Sequence, residues 1–212
     1  MKKLESTLTN MVLVLTAVAL ISAGLLGVMQ QLTKEPIALI EKQTLENGIK
    51  KVMLPDGNGT LSVSNEEKVT TDNGEFTVYT AVADGNEIGK AIKTTVTGFS
   101  PGLTVLVGFD NDGNIKGYEI LKHSETPGLG AKVDNWFQKG QKGDIIGKNP
   151  GDAKFKVRKD DGEVDAITAS TITSRAFLKA IKAEYDVFMQ TKGKKTAKMD
   201  GMTGATVKSE SK

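Results

Sequence analysis

Residues 75–97 read EFTVYTAVADGNEIGKAIKTTVT, and the fold turns on them. Two runs rich in Val, Thr, Ile and aromatic residues flank Asp84-Gly85. Asp-Gly between such runs marks a hairpin, because the turn needs positive φ and these residues reach it at least cost. The signature recurs downstream. Thr104 to Phe109 and Ile115 to Leu121 flank Asp112-Gly113, and Lys154 to Arg158 and Glu163 to Ile167 flank Asp161-Gly162. Three hairpins predict a largely antiparallel sheet.

Helical spacing appears on either side of the last hairpin. Ala131 to Lys139 predicts a short helix carrying Trp136 and Phe137, read as core or ligand-covering residues. Thr173 to Gln190 predicts a longer one, with Leu178, Ile181, Tyr185 and Phe188 on a stripe backed by Phe177. Sheet plus helices gives an α+β domain over residues 60–190. Upstream, residues 33–59 form a membrane-proximal helix and linker. Pro36 suits a first helical turn, and Ile37, Ile40, Leu45, Ile49 and Val52 share a face. The run PDGNG at 55–59 ends that helix. Residues 191–212 are predicted to be a flexible Lys-rich tail.

Residues 1–32 read as a transmembrane anchor. From Leu8 to Met29 there is no charge, and about 20 helical residues span ~30 Å of hydrocarbon. Lys2 and Lys3 precede the run, whereas Lys34 and Glu35 behind it cancel. The positive-inside rule then places the N-terminus in the cytoplasm and the main domain outside a bacterial cell membrane, with a single pass. A cleaved signal peptide ending at Ala17-Val18-Ala19 is the competing reading, but the apolar run continues well past it.

Composition removes several function classes. With the anchor set aside, 212 residues leave enough chain for one core. A net charge of +2 without an aromatic-interleaved basic stripe gives no case for nucleic acid. The absence of cysteine excludes disulfides, thiol nucleophiles and Cys-ligated Fe–S clusters. One histidine, His123, argues against a His-rich metal site. No G-x-G-x-x-G opens a helix, so dinucleotide binding is not expected.

Chemistry concentrates in two segments. The first, DAITASTITSR at 165–175, places Thr168, Ser170, Thr171 and Thr173 among small residues just before the long helix. Such hydroxyls commonly cap a helix. A helix N-terminus also offers free N–H groups and partial positive charge to an anion. A phosphate ester on Thr171 suits that position, with Ala169 and Ser170 leaving the hydroxyl accessible. Arg175, about one turn along, offers a charge-assisted contact. Asp165 either orients the hydroxyl or caps the turn. The second segment, HSETPGLG at 123–130, follows a strand. Pro127-Gly128 fits a type II turn. Glu125, Thr126, Gly128, Leu129 and Gly130 can give a flat ligand polar edge contacts and close backbone approach. His123 is either a surface residue at a strand end or a ligand or partner contact.

SETPGLGAKV, followed by Trp136 and Phe137 and then by DAITASTITSRA, resembles the G subunit of the Rnf electron-transport complex. The family of FMN-binding domains to which that protein belongs also includes the C subunit of the sodium-translocating quinone reductase. The resemblance implies an FMN held by a phosphoester to the Thr of a D-x-aliphatic-[ST]-G-A-T motif, attached by a flavin transferase from FAD. Asp165 and Thr171 fall on the motif's acid and acceptor, while Ala169-Ser170 stands in place of Gly-Ala. It further implies a relay protein in a membrane complex that passes electrons between ferredoxin and NAD⁺ and moves Na⁺ or H⁺. Neither a complete reaction nor catalytic residues of its own are expected. Near the C-terminus, DGMTGATV at 200–207 repeats the motif, making Thr206 a second candidate acceptor. The quinone reductase's C subunit, the first alternative, shares the cofactor. A non-redox anchored sensor or assembly module shares the anchor and hairpins. A stand-alone reductase needs a general acid that the sequence does not display.

Overall fold

A computed structural model of the chain describes residues 7–55, 57 and 59–192. It contains helix α1 (Leu8–Met53), strands β1 (Leu61–Thr71), β2 (Gly74–Ala83), β3 (Asn86–Val96), β4 (Leu103–Phe109) and β5 (Ile115–Lys122), and helices α2 (Val133–Trp136) and α3 (Thr171–Thr191). The strands form one antiparallel meander in the order β1-β2-β3-β4-β5. The predicted turns at Asp84-Gly85 and Asp112-Gly113 join β2 to β3 and β4 to β5; Asp84, Gly85 and Gly113 all take positive φ. The fold is α+β, as the hairpin signals predict.

Alternation along the strands sorts residues to two buried faces. Val105, Val107 and Phe109 of β4 join Phe76, Val78 and Ile92 in a core under α3, which supplies Phe177, Leu178, Ile181, Val187 and Phe188. Each such side chain removed from water contributes roughly 1.5–3 kcal/mol. Phe137 stacks on Phe177 at 4.6 Å between centroids, and the Tyr118 hydroxyl donates to the Val133 carbonyl at 2.8 Å, which pins α2 to β5. Tyr185 is only half-buried at the edge of this core. On the opposite face, Val52 and Met53 at the end of α1 meet β4 so closely that a Cβ on Gly108 would lie 2.6 Å from the Val52 carbonyl oxygen.

Contacts divide the chain into two units, Met1–Glu46 and Asn47–Lys212. In the first, α1 is long and apolar enough to cross a membrane, with a mean hydropathy of 2.5 over its most apolar window and none of that window buried. The sequence predicts a second helix starting near residue 33. Instead α1 runs unbroken to Met53 with Pro36 inside it. Proline removes one hydrogen bond there, and the Leu, Ala, Ile, Glu and Lys residues around it are good enough helix formers to continue. Ile37 and Ile40 are exposed, whereas Ile49 and Val52 are buried.

Two further differences concern the sheet. Strand β1 is not predicted by the sequence: LSVSNEEKVTT is polar, and it is an edge strand with few half-buried positions. The third expected hairpin does not form. Residues 154–164 instead fold into a tight loop, with a 3₁₀ turn over Arg158–Asp160 and one parallel bridge between Val157 and Val164. Val164 N–H donates to the Lys156 carbonyl and Arg158 N–H to the Val164 carbonyl, at 3.0 and 2.9 Å. Burying Phe155, Val157, Val164 and Ile167 in one core takes precedence over extending a ladder. This loop lies beside the start of α3, where its charged residues meet Thr171 and Arg175.

Candidate functional site

The two segments singled out in the sequence meet at an open pocket of about 360 Å³. Its lining comes from three places: Phe99 in the β3–β4 loop, Glu125, Thr126, Leu129 and Gly130 after β5, and Ala169 to Ile172 at the start of α3. The type II turn is present, with Gly128 at φ 77° and Leu129 N–H donating to the Thr126 carbonyl at 3.1 Å.

A buried hydrogen-bond chain holds the three parts together. Ser170 Oγ donates to Thr173 Oγ1 at 2.9 Å, and Thr173 Oγ1 donates to Glu125 Oε2 at 2.8 Å. The other Glu125 oxygen accepts from Ser100 N–H at 3.1 Å. Glu125 thus ties the Phe99 loop to the helix start. Gly98 and Gly130 let it in, since a Cβ on either would collide with a Glu125 carboxylate oxygen. His123 lies behind this brace and outside the pocket. Its Nδ1 accepts from Glu125 N–H at 3.2 Å, which leaves the proton on Nε2, 3.3 Å from Asp134 Oδ2.

Helix α3 begins at Thr171, two residues earlier than predicted. Ser170 occupies the cap position, but its side chain makes no capping bond; its hydroxyl instead turns to donate to Thr173. The first-turn amides lack intrahelical acceptors by construction. An uncapped first turn beside a pocket is an anion-binding arrangement. Ser174 Oγ links the helix back, accepting from Ile167 N–H and donating to the Ser170 carbonyl, both at 2.9 Å. Thr171 itself is half-buried, and its hydroxyl lies 3.5 Å from Lys159 Nζ.

The remaining predicted residues lie off the pocket lining. Thr168 is exposed. Asp165 pairs with Arg158 at 2.7 Å, and its carbonyl accepts from Trp136 Nε1 at 2.8 Å. Trp136 and Phe137 are therefore packing residues. Arg175 reaches Asp160 through two bonds of 2.7 and 2.6 Å, and these hold the Asp160 carboxyl below its ordinary range. Thr206 lies outside the described residues. Sequence reasoning missed Phe99, Ile172 and Lys159. The signal for Phe99 was an aromatic residue inside the turn-rich run GFSPG at 98–102.

Ala169 carries strain. It takes φ 61°, where an L side chain costs roughly 1–2 kcal/mol relative to glycine. We expect Ala169→Gly to raise the unfolding midpoint of the detergent-solubilised chain by about 2–4 °C. An unchanged or lowered midpoint would mean that residue 169 is not left-handed in solution.

The lining chemistry suits FMN. Phe99, Ile172 and Leu129 are 67%, 57% and 41% exposed at the pocket rim. Three large apolar side chains around one opening call for a flat apolar cover. The hydroxyl and uncapped helix start beside them suit a phosphoryl group.

Comparison with known proteins agrees with this chemistry. The FMN-binding domain family matches residues 98–186. A protein of Aliivibrio fischeri, named as the G subunit of an ion-translocating oxidoreductase complex, is 31% identical over 187 residues, covering 84% of this chain and 88% of its own length. Its namesake in Shewanella amazonensis is 32% identical over 182 residues, covering 80% and 82%. The crystal structure of Shewanella oneidensis NqrC aligns over 61% of this chain and 69% of its own, with TM-score 0.44 and 22% identity, too partial a likeness to argue from. On the strength of the sequence relatives, this chain belongs to the family of G subunits of ion-translocating oxidoreductase complexes.

Proposed function

We propose that this chain is the electron-relaying flavoprotein of a membrane-bound ion-translocating oxidoreductase complex, carrying FMN as a phosphoester on Thr171. The observation that supports this most directly is the pocket between the ETPGLG loop and the start of α3. There one half-buried threonine hydroxyl adjoins an uncapped helix and three exposed apolar side chains. When bound, FMN supplies one- and two-electron chemistry. The protein's own residues hold and orient it. Phe99, Leu129 and Ile172 cover ring faces and exclude water, while Thr126 and the backbone of the Gly128–Gly130 turn offer polar edge contacts. Glu125 braces the three lining segments.

Attachment needs a flavin transferase and FAD. The Thr171 oxygen forms a bond to the FMN-side phosphorus, the pyrophosphate P–O bond breaks, AMP leaves, and the hydroxyl proton passes to a base on the transferase. A covalent tether keeps the cofactor from being lost outside the cytoplasm. The apolar part of α1 anchors the chain in the lipid bilayer, with the N-terminus cytoplasmic and the flavin domain outside. Its partners are the other proteins of the complex, through which electrons run between ferredoxin and NAD⁺. Intact-mass measurement of the natively produced chain tests the core of this reading. We expect one added FMN phosphoester, mapped to the peptide containing Thr171. A colourless chain of unmodified mass would refute it.

A further inference from the structure

The tight loop before α3 presents four charged residues in a row, Arg158, Lys159, Asp160 and Asp161. Arg158 is taken up by Asp165 at 2.7 Å and Asp160 by Arg175 at 2.6 Å. These two ion pairs fix the ends of the 3₁₀ turn. Lys159, between them, has no carboxylate partner among the described residues, and its contact is the Thr171 hydroxyl, 3.5 Å from Nζ. That distance is long for a hydrogen bond. It leaves the ammonium beside an alcohol that cannot neutralise it and that itself lines the pocket at an uncapped helix start. The two arginines flanking the site, Arg158 and Arg175, are already paired with carboxylates. Lys159 is left over at the reacting oxygen.

We propose that Lys159 is the phosphate-binding residue of this site, contacting the phosphoryl group esterified to Thr171 and the same group while it is being transferred. This rests on the reading of Thr171 as the flavin acceptor. The finished linkage is a phosphodiester with one negative charge, so one ammonium balances it. During transfer, negative charge builds on the phosphoryl oxygens as the Thr171 oxygen bonds to phosphorus and AMP departs. Lys159 stabilises that charge together with the first-turn amides of α3. Lysine suits the task as a mobile point charge on a flexible stem, able to follow the group from donor to product.

The test uses the full-length chain in membranes, with flavin transferase, Mg²⁺ and FAD, and follows in-gel fluorescence over time. Charge-assisted contacts of this kind are worth roughly a factor of ten or more. We expect Lys159→Ala to slow covalent labelling of Thr171 by about tenfold, Lys159→Glu to slow it further, and Lys159→Arg to restore much of the rate. Raising ionic strength should slow the wild type more than Lys159→Ala, because screening acts on a charge that the variant lacks. A structural role for this exposed side chain predicts neither the Arg rescue nor the change in salt dependence. Equal unfolding midpoints confirm that the variants fold. If Thr171 is labelled at the wild-type rate in Lys159→Glu, the inference fails and the flavin reading stands. If flavin is absent from Thr171 in the wild type, both fail.

Discussion

Thr171→Ala should remove most covalent flavin, seen as loss of most of the fluorescence after denaturing electrophoresis of protein made with the transferase present. The expectation comes from asking which hydroxyl around the pocket is free to react. Ser170 and Thr173 are buried and committed to each other and to Glu125. Ser174 is buried and bonds the backbone at Ser170. Thr168 is exposed but lies outside the pocket lining. Thr126 lines the pocket from the facing loop, away from the helix N-terminus. Thr171 alone among these is half-buried at the pocket, at the first helical position, next to a cation without a carboxylate partner among the described residues. Thr171→Ser keeps the oxygen and should keep some flavin. Thr206, in the repeated motif, supplies the control. Undiminished fluorescence in Thr171→Ala, with loss in Thr206→Ala, would move the attachment site to the C-terminal motif. Undiminished fluorescence in the double variant Thr171→Ala, Thr206→Ala would end the reading of a phosphoester at either motif. Noncovalent flavin does not count as survival, which is why the measurement follows denaturation.

What the sequence disclosed and what it concealed have separate physical causes. The Asp84-Gly85 and Asp112-Gly113 hairpins are legible because a turn with positive φ restricts residue choice locally, and nothing downstream alters that requirement. Asp161-Gly162 carries the same dipeptide, and Asp161 does take φ 59°. The turn chemistry is therefore legible there while the pairing around it is not. Whether flanking segments form a ladder depends on where Phe155, Val157 and Val164 find a core, and that is a tertiary fact. Strand β1 is hidden because an edge strand facing water needs no alternation. At the site, the hydroxyl cluster and the ETPGLG loop are visible as motifs. Their joint dependence on Glu125 is not, since a contact across 48 residues leaves no local pattern. Arg175 and Lys159 show the same limit. Spacing along the helix nominates Arg175 for the phosphate, yet Asp160, 15 residues upstream, claims it. The cation at Thr171 arrives from a loop whose path the sequence does not predict.

Glu184 carries the second large expected effect, on stability. It lies in the middle of α3, fully buried, and neither carboxylate oxygen has a hydrogen-bond partner among the described residues. Burial pushes its carboxyl well above the ordinary range and outweighs the opposing influence of the nearby Thr94 backbone, which does not meet hydrogen-bond geometry at either oxygen. The sign follows from proton counting. In the unfolded chain a glutamate ionises near pH ~4.3, whereas the folded carboxyl stays protonated to higher pH, so the native state binds the extra proton. Stability attributable to this group is therefore highest below ~4.3 and falls by about 1.4 kcal/mol per pH unit above it, until the folded carboxyl itself ionises. Glu184→Met removes both the titration and the unmet polar atoms while keeping much of the volume. Urea unfolding of the detergent-solubilised chain should show the variant more stable by about 1–3 kcal/mol at pH 4, from the unmet polar atoms alone, and by a larger margin at pH 7, where the titration adds to it. Glu184→Gln separates the two contributions. It keeps unmet polar atoms but cannot titrate, so its stability should lie between the others at pH 7 and lose the slope. A gap between wild type and Glu184→Met that is constant from pH 4 to 7 would show that Glu184 titrates normally, and a less stable Met variant would show that its carboxyl has a partner in solution. Glu184 lies three to four turns beyond Thr171 along α3, too far for direct coupling, so labelling of Thr171, the proposed flavin acceptor, should survive the substitution unchanged.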